Sequence, residues 1–315
     1  MGGDGHTHHW QFMKTRYSNL LAALLLVILV LPPVGVADDE FQISENIDRL
    51  EKLAIGIREA SSNEERMAGL HGIRNEFETD NPIRRANAIA TIGRLADVGQ
   101  DDTAFGAESI RVVIRGFSDV AAVSQTSVRV FGRLKGCQGA KQNLTEVAKL
   151  LASENEWVAV EAAETIAIFG PNSLICLDQL IKALDRVPDG DGFSLRISAA
   201  NAIGKVGTAA KHAIPRLVKG CKSTNEDIRL ANAVALLRIE PTNQTAFDTI
   251  KRSLLEAKLH TKSDLLVTLA DPGVPRNKAV IELMRFATND ENETISANAE
   301  RFLQDLMRHS NSSTN

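Results

Sequence analysis

The chain has 315 residues, of which 24% are charged and only 4% aromatic, and a formal net charge of −4. A mildly acidic chain so poor in rings offers neither a basic surface nor a stacking platform, so nucleic acid is excluded as a partner. Three cysteines are too few, and odd in number, for a disulfide framework.

The amino end reads as an export signal. Residues 20–31 form an unbroken apolar run, preceded by Lys14 and Arg16, broken by Pro32-Pro33 and followed by Gly35-Val36-Ala37. A basic stretch, a short apolar core and small residues before a cut make a secretory signal. The run falls short of the roughly 20 apolar residues that span a bilayer. We therefore expect residues 1–37 to be leader and signal peptide, cut after Ala37, with the chain periplasmic or secreted. An uncleaved helix anchoring it to the membrane is the alternative. Met13 suits the start of a signal better than Met1. His6, His8 and His9 lie in the stretch before it and read as unstructured leader rather than a metal site. Cleavage removes Asp4, Lys14 and Arg16, which leaves a balance of −5.

Beyond the signal a phrase recurs. It stands as Asn87-Ala-Ile-Ala-Thr-Ile-Gly93, as Asn201-Ala-Ile-Gly-Lys-Val-Gly207, and as Asn232-Ala-Val-Ala-Leu-Leu237 with Arg238 in place of the glycine. Weaker copies begin at Thr126, Glu164, Ser263 and Asn298, giving intervals of 39, 38, 37, 31, 31 and 35. A period in the thirties means one supersecondary unit stacked on itself. In the unit opening at Phe193, the residues Leu195, Ser198, Ala199, Ala202, Ile203 and Val206 share one helical face, and Gly207 ends the helix. A turn over 208–212 leads to a second helix over 213–221, with Pro215 in its first turn, where a missing N–H is tolerated. Asn143-Leu-Thr-Glu146 and the stretch 173–178 open second helices in the same way. Alanine within the phrase lets first helices approach closely, while Ile and Leu fill the space between layers.

The phrase, followed by a proline-containing second helix, resembles the HEAT repeat. It is most similar to the short bacterial form named for phycobilisome lyases. The turns Asp80-Asn-Pro-Ile-Arg84, Asp191-Gly-Phe-Ser-Leu-Arg196 and Asn225-Glu-Asp-Ile-Arg229 match it too. The resemblance implies that Arg84, Arg196 and Arg229 tie one unit to the next. It implies an all-α, right-handed α-solenoid of about seven helix pairs over 38–310, which binds proteins or peptides. Weaker units at 38–80 and 260–310 cap it, and a disordered tail follows at 311–315. The stretch Asp271-Pro-Gly-Val-Pro275 interrupts the later cap.

Each second helix also carries a cation after a mostly apolar pair: Arg115, Lys149, Lys182, Lys219, Lys251 and Arg285. Stacking would align them along one face, expected to be the concave one, as a ladder for an acidic peptide or polyanion. The other reading is a solvated helix face, offset by Glu146, Asp178, Asp185, Asp248 and Glu282. Cys137 and Cys176 lie in adjacent units, so they are the pair that one bridge would join after export. The alternative is three buried thiols, Cys221 included.

Catalytic motifs are not found. Asp189-Gly-Asp-Gly192 begins like a calcium loop, but its twelfth position is Ala200 where a glutamate is needed. No His-Glu dipeptide occurs, so the di-iron arrangement of deoxyhypusine hydroxylase, a HEAT-type enzyme, has no counterpart here. No cofactor and no metal are expected. The sequons at Asn143, Asn243, Asn292 and Asn311 are read as chance, since the repeat type suggests a bacterium. The expectation is an exported, non-catalytic scaffold for a protein or peptide. The alternatives are a lyase- or chaperone-like factor acting on a pigment or cofactor protein, and self-association through the end units.

Overall fold

The computed structural model describes residues 36–186, 193–271 and 273–311. The expected signal segment up to residue 35, the histidines at 6, 8 and 9 and residues 189–192 lie outside them. The chain divides into one compact unit reaching to Ile47 and another from Asp48 to Asn315. What is described of the former is the opening of helix α1, Val36–Glu59.

Among the described residues, fifteen more α-helices follow in the latter. They are α2 (Asn63–Phe77), α3 (Pro82–Arg94), α4 (Ala96–Asp101), α5 (Thr103–Arg115), α6 (Ala121–Arg133), α7 (Leu144–Lys149), α8 (Glu156–Ile168) and α9 (Leu177–Leu184). The order continues with α10 (Phe193–Val206), α11 (Ile214–Gly220), α12 (Glu226–Ile239), α13 (Gln244–Glu256), α14 (Leu259–Ala270), α15 (Lys278–Ala287) and α16 (Glu293–Asn311). Among the described residues no strand occurs. No described helix is long and apolar enough to cross a membrane.

All seven copies of the phrase fall in first helices: α3, α6, α8, α10, α12, α14 and α16. Successive first helices pack side by side from α3 to α12. The residue after the phrase's opening position is small in each central copy: Ala88, Ser127, Thr165, Ala202 and Ala233, all fully buried. Small side chains there let two helix backbones approach; a Cβ added at Gly204 would sit 3.0 Å from Ala235 Cα on the next first helix. Thr165 Oγ1 uses the same closeness to donate to Val128 O on α6 at 3.1 Å. Larger residues fill the space behind. Phe131 is fully buried and meets Phe117 at 5.7 Å and Phe169 at 5.8 Å between ring centres. A side chain buried in this way contributes about 2–3 kcal/mol.

Asparagine starts many of these helices. Asn81, Asn155, Asn225, Asn243 and Asn277 each accept a main-chain N–H of the first turn with Oδ1. Such a cap is worth about 1 kcal/mol.

Several expected boundaries move. Gly207 does end α10, at φ +78°, a conformation glycine adopts without strain. The expected turn at 208–212 is instead a 3₁₀ helix over Gly207–Ala213, and the second helix is the shorter Ile214–Gly220. Ser173 likewise belongs to a 3₁₀ helix, Gly170–Cys176, ahead of α9. The tighter winding satisfies the main-chain groups of a connection too short for an open loop. Asn311 belongs to α16 rather than to a tail.

Candidate functional site

The second helices set a row of cations. Arg115, Lys149, Lys182, Lys219 and Arg285 stand in the last turns of α5, α7, α9, α11 and α15. A cation there complements the carbonyl end of its own helix, which gives this spacing a local cause. Successive second helices are neighbours: α2 and α5, α7 and α9, α9 and α11, α13 and α15.

The six side chains are not equivalent. Arg115 pairs with Glu78 at 2.7 Å and lies 5.3 Å from the centre of the Phe77 ring. Lys149 pairs with Glu146 at 2.7 Å and Lys219 with Asp185 at 3.6 Å. Lys251 sits between Phe286 and Phe247, 5.1 and 5.8 Å from their ring centres. Lys182 and Arg285 have no side-chain partner among the described residues. Exposed pairs of this kind contribute about 0–1 kcal/mol, so Lys149 and Lys219 are free to exchange partners.

One stretch of the row deepens into a cavity of about 420 Å³. The end of α9 supplies Leu184 and Asp185, α10 supplies Arg196, α11 supplies Arg216, Lys219 and Gly220, and the following turn supplies Lys222 and Ser223. Asn232 of α12 completes the lining. Arg216 reaches Asp185 Oδ2 at 2.9 Å, while Arg196 Nε donates to Leu184 O at 3.1 Å. Asn232 is 2% exposed; its Nδ2 donates to Ile228 O at 2.7 Å, and its Oδ1 has no partner. Only glycine fits at 220, since a Cβ there would come within 2.3 Å of the Asn232 amide.

The three arginines read as ties take different roles. Arg84 pairs with the buried Glu76 of α2 at 2.8 Å, and Arg49 joins the same carboxylate at 3.0 Å. Arg196 reaches the end of α9, as above. Arg229 stays local, donating to Ser223 O and Thr224 O of the turn before its helix. Its counterpart in the earlier unit is Arg85, one residue after Arg84. Both stand four residues after the capping asparagine, and both donate to the carbonyl six residues back, Arg85 to Thr79 O at 2.7 Å. Arg66 repeats the contact with Ala60 O at 3.4 Å. Arg85 then reaches across to Asp119 with Nε and a terminal nitrogen, each at 2.7 Å. Aligning the turns on Asn81 and Asn225 instead of on the preceding aspartate would have found it.

Cys137, Cys176 and Cys221 are free and buried. The structure does not join Cys137 to Cys176: one thiol faces Ala96 O and the other Leu144 O. Burial pushes each thiol up to about 11, so none is a thiolate at neutral pH. No group of three or more His, Cys, Asp or Glu among the described residues is placed to hold a metal ion.

As a sequence, the chain matches no family model and no curated protein. As a structure it is similar to Kap95p, solved with RanGDP, at a TM-score of 0.51 and 15% identity. That match covers 98% of this chain and 51% of Kap95p, so the chain spans about half of that protein. Two further structures lie near it. The CpcE–CpcF complex of phycocyanin lyase from a Nostoc species has a TM-score of 0.49 at 13% identity, covering 75% of this chain and 94% of the other. The YibA protein of E. coli has 0.45 at 16% identity, covering 81% and 96%. The chain has an all-α solenoid fold of stacked helix pairs.

Proposed function

We propose that the chain is an exported, non-catalytic scaffold that holds a protein or peptide segment against its row of second helices. The observation that carries this reading is the cation that recurs in the last turn of second helices, still exposed where it is paired. Lys149 is 70% and Lys219 73% exposed in their side chains. Lys149, Lys182 and Lys219 on the adjacent helices α7, α9 and α11, and Lys251 and Arg285 on the adjacent pair α13 and α15, attract an extended acidic segment through many weak contacts, in keeping with the distributed energetics of a solenoid. Kap95p, which shares the fold, binds RanGDP. Export rests on the signal pattern of residues 14–37.

Capture from the native envelope tests the scaffold. The wild-type chain is compared with Arg115→Glu, Lys149→Glu, Lys182→Glu and Lys219→Glu combined, and bound proteins are identified by mass spectrometry. A protein held by the wild type and lost from the variant supports the row as the binding face. One held equally by both overturns it. Amino-terminal sequencing of the purified chain tests export: a start at Asp38 supports it, and an intact leader in the cytosolic fraction overturns it.

A further inference from the structure

We propose that the cavity between α9, α10, α11 and α12 is an anchoring pocket for an acidic residue of a bound peptide, taking its side-chain carboxylate on Arg216, Lys219 and Arg196 and a main-chain N–H on Asn232. The inference rests on the scaffold reading and narrows it to one place and one ligand chemistry.

Charge comes first. Four cations, Arg196, Arg216, Lys219 and Lys222, surround the cavity against one carboxylate, Asp185. Arg196 stands on the first helix of one repeat, Arg216 and Lys219 on its second helix and Lys222 in the turn that follows, so a single repeat gathers more positive charge here than one helix end would hold. Asp185 occupies the place of a ligand carboxylate. It meets Arg216 at 2.9 Å and Lys219 at 3.6 Å, with 38% of its own side chain exposed. An exposed pair of this strength yields readily to a competing carboxylate. Arg196 spends Nε on Leu184 O, and its terminal nitrogens make no ion pair among the described residues.

The lining then separates a peptide from a bare anion. Asn232 is 2% exposed, and its Oδ1 accepts nothing. A buried acceptor left without a donor costs about 1–3 kcal/mol, and an ionised polycarboxylate brings no donor to satisfy it. A peptide brings both charges and amides. At about 420 Å³ the cavity is also far larger than a single oxyanion and falls in the size range of ligand pockets, which begins at roughly 300 Å³.

Fluorescence anisotropy of a fluorescein-labelled hexaglutamate peptide on the full chain tests this. The expected result is saturable binding that weakens with salt and weakens by about tenfold or more in Arg216→Glu/Lys219→Glu, since two pairs are lost and repulsion replaces them. Lys135→Glu/Lys141→Glu carries the same charge change on exposed turns outside the row and retains binding. Circular dichroism checks that all variants are folded. Three results overturn the pocket. Binding equal in the wild type and the pocket variant shows that the peptide sits elsewhere. A loss in Lys149→Glu/Arg285→Glu as large as in the pocket variant leaves the row as the binder without a special site. Displacement by a polyacrylate oligomer of matched charge as effective as by unlabelled hexaglutamate removes the role of the N–H and of Asn232. The envelope capture can still succeed in each of these cases, so failure of the pocket is distinguishable from failure of the scaffold.

Discussion

Arg85 and Arg238 each leave a first helix and approach an aspartate of the next repeat, and they arrive in different states. Arg85 forms a fork on Asp119, with two bonds of 2.7 Å and side chains 16% and 14% exposed. Its guanidinium holds the Asp119 carboxyl below the ordinary carboxylate value. Arg238 is 6% exposed and only 3.6 Å from Asp271, which Lys205 also approaches at 3.4 Å. Its Nε has no partner, and burial pushes its pKa down against the pull of Asp271. One joint is satisfied by geometry, while the other holds a charge for which the neighbouring helix leaves space. The difference begins in the phrase: Arg238 stands where Gly93 and Gly207 stand, and Gly204 on α10 leaves room for it, since a Cβ there would lie 3.2 Å from Arg238 Cδ.

The sharpest way to break the contrast is to fill that room. Gly204→Leu would drive side-chain atoms into Ala235 and Arg238, and overpacking of this kind costs about 3 kcal/mol. Because each repeat contacts chiefly its neighbours, with Lys205 to Asp271 reaching one repeat further, the loss is expected to stay local. Hydrogen exchange read by mass spectrometry should show α10 and α12 deprotected, with α3 and α6 unchanged. Equal loss at both ends would mean that the solenoid unfolds as one body and the two joints are not independent.

Arg85→Met is expected to cost about 2 kcal/mol, because Asp119 stays half sealed from water with only the Val120 N–H in place of the fork. Urea denaturation of the two proteins measures it; a change below about 0.5 kcal/mol would place this pair with ordinary surface pairs.

The same pair predicts an acid response. A carboxyl held below its ordinary value stabilises the fold above that value of 3.8, and the contribution is lost as pH falls through the lower, folded one. Thermal melts carried from neutrality into that range should show wild type losing its advantage over Arg85→Met as acid is added. Parallel curves would mean that the fork does not set the Asp119 proton affinity.

The ease with which the repeat is read, and the difficulty of reading the joints, have one cause. The phrase at Asn87, Asn201 and Asn232 reports a period of 3.6 and a small-residue face, which are local properties, so all seven copies lie in first helices. The 3₁₀ segments at Gly207 and Gly170 were not legible, because turn and 3₁₀ helix differ in winding and not in residue type. Arg85 was hidden by a one-residue choice of register, which the cap at Asn81 decides. Phe247, four residues before Lys251, was within reach of the sequence; Phe286, the other ring on that lysine, comes from the next repeat. The pocket at Asn232 was out of reach for the same reason, since α9, α10, α11 and α12 each supply part of it.

The smallest expected effect is the most discriminating. Arg238→Met removes a buried guanidinium with one distant partner and an orphaned Nε, and puts an apolar chain of similar length against Gly204. Asp271 is not left bare, since it is 38% exposed and keeps Lys205 and the Gly273 N–H at 2.7 Å. Replacing a poorly paired buried charge by a hydrophobic side chain is often neutral or stabilising by about 1 kcal/mol. Arg85→Met and Arg238→Met are the same chemical change, made 2.7 Å from an aspartate in one joint and 3.6 Å in the other, so their urea midpoints, compared side by side, measure the difference between the joints. Opposite or unequal shifts mean that geometry, not residue type, decides what a charge contributes between repeats. A loss at Arg238 as large as at Arg85 would mean that the 3.6 Å contact is a working ion pair and that the two joints are alike.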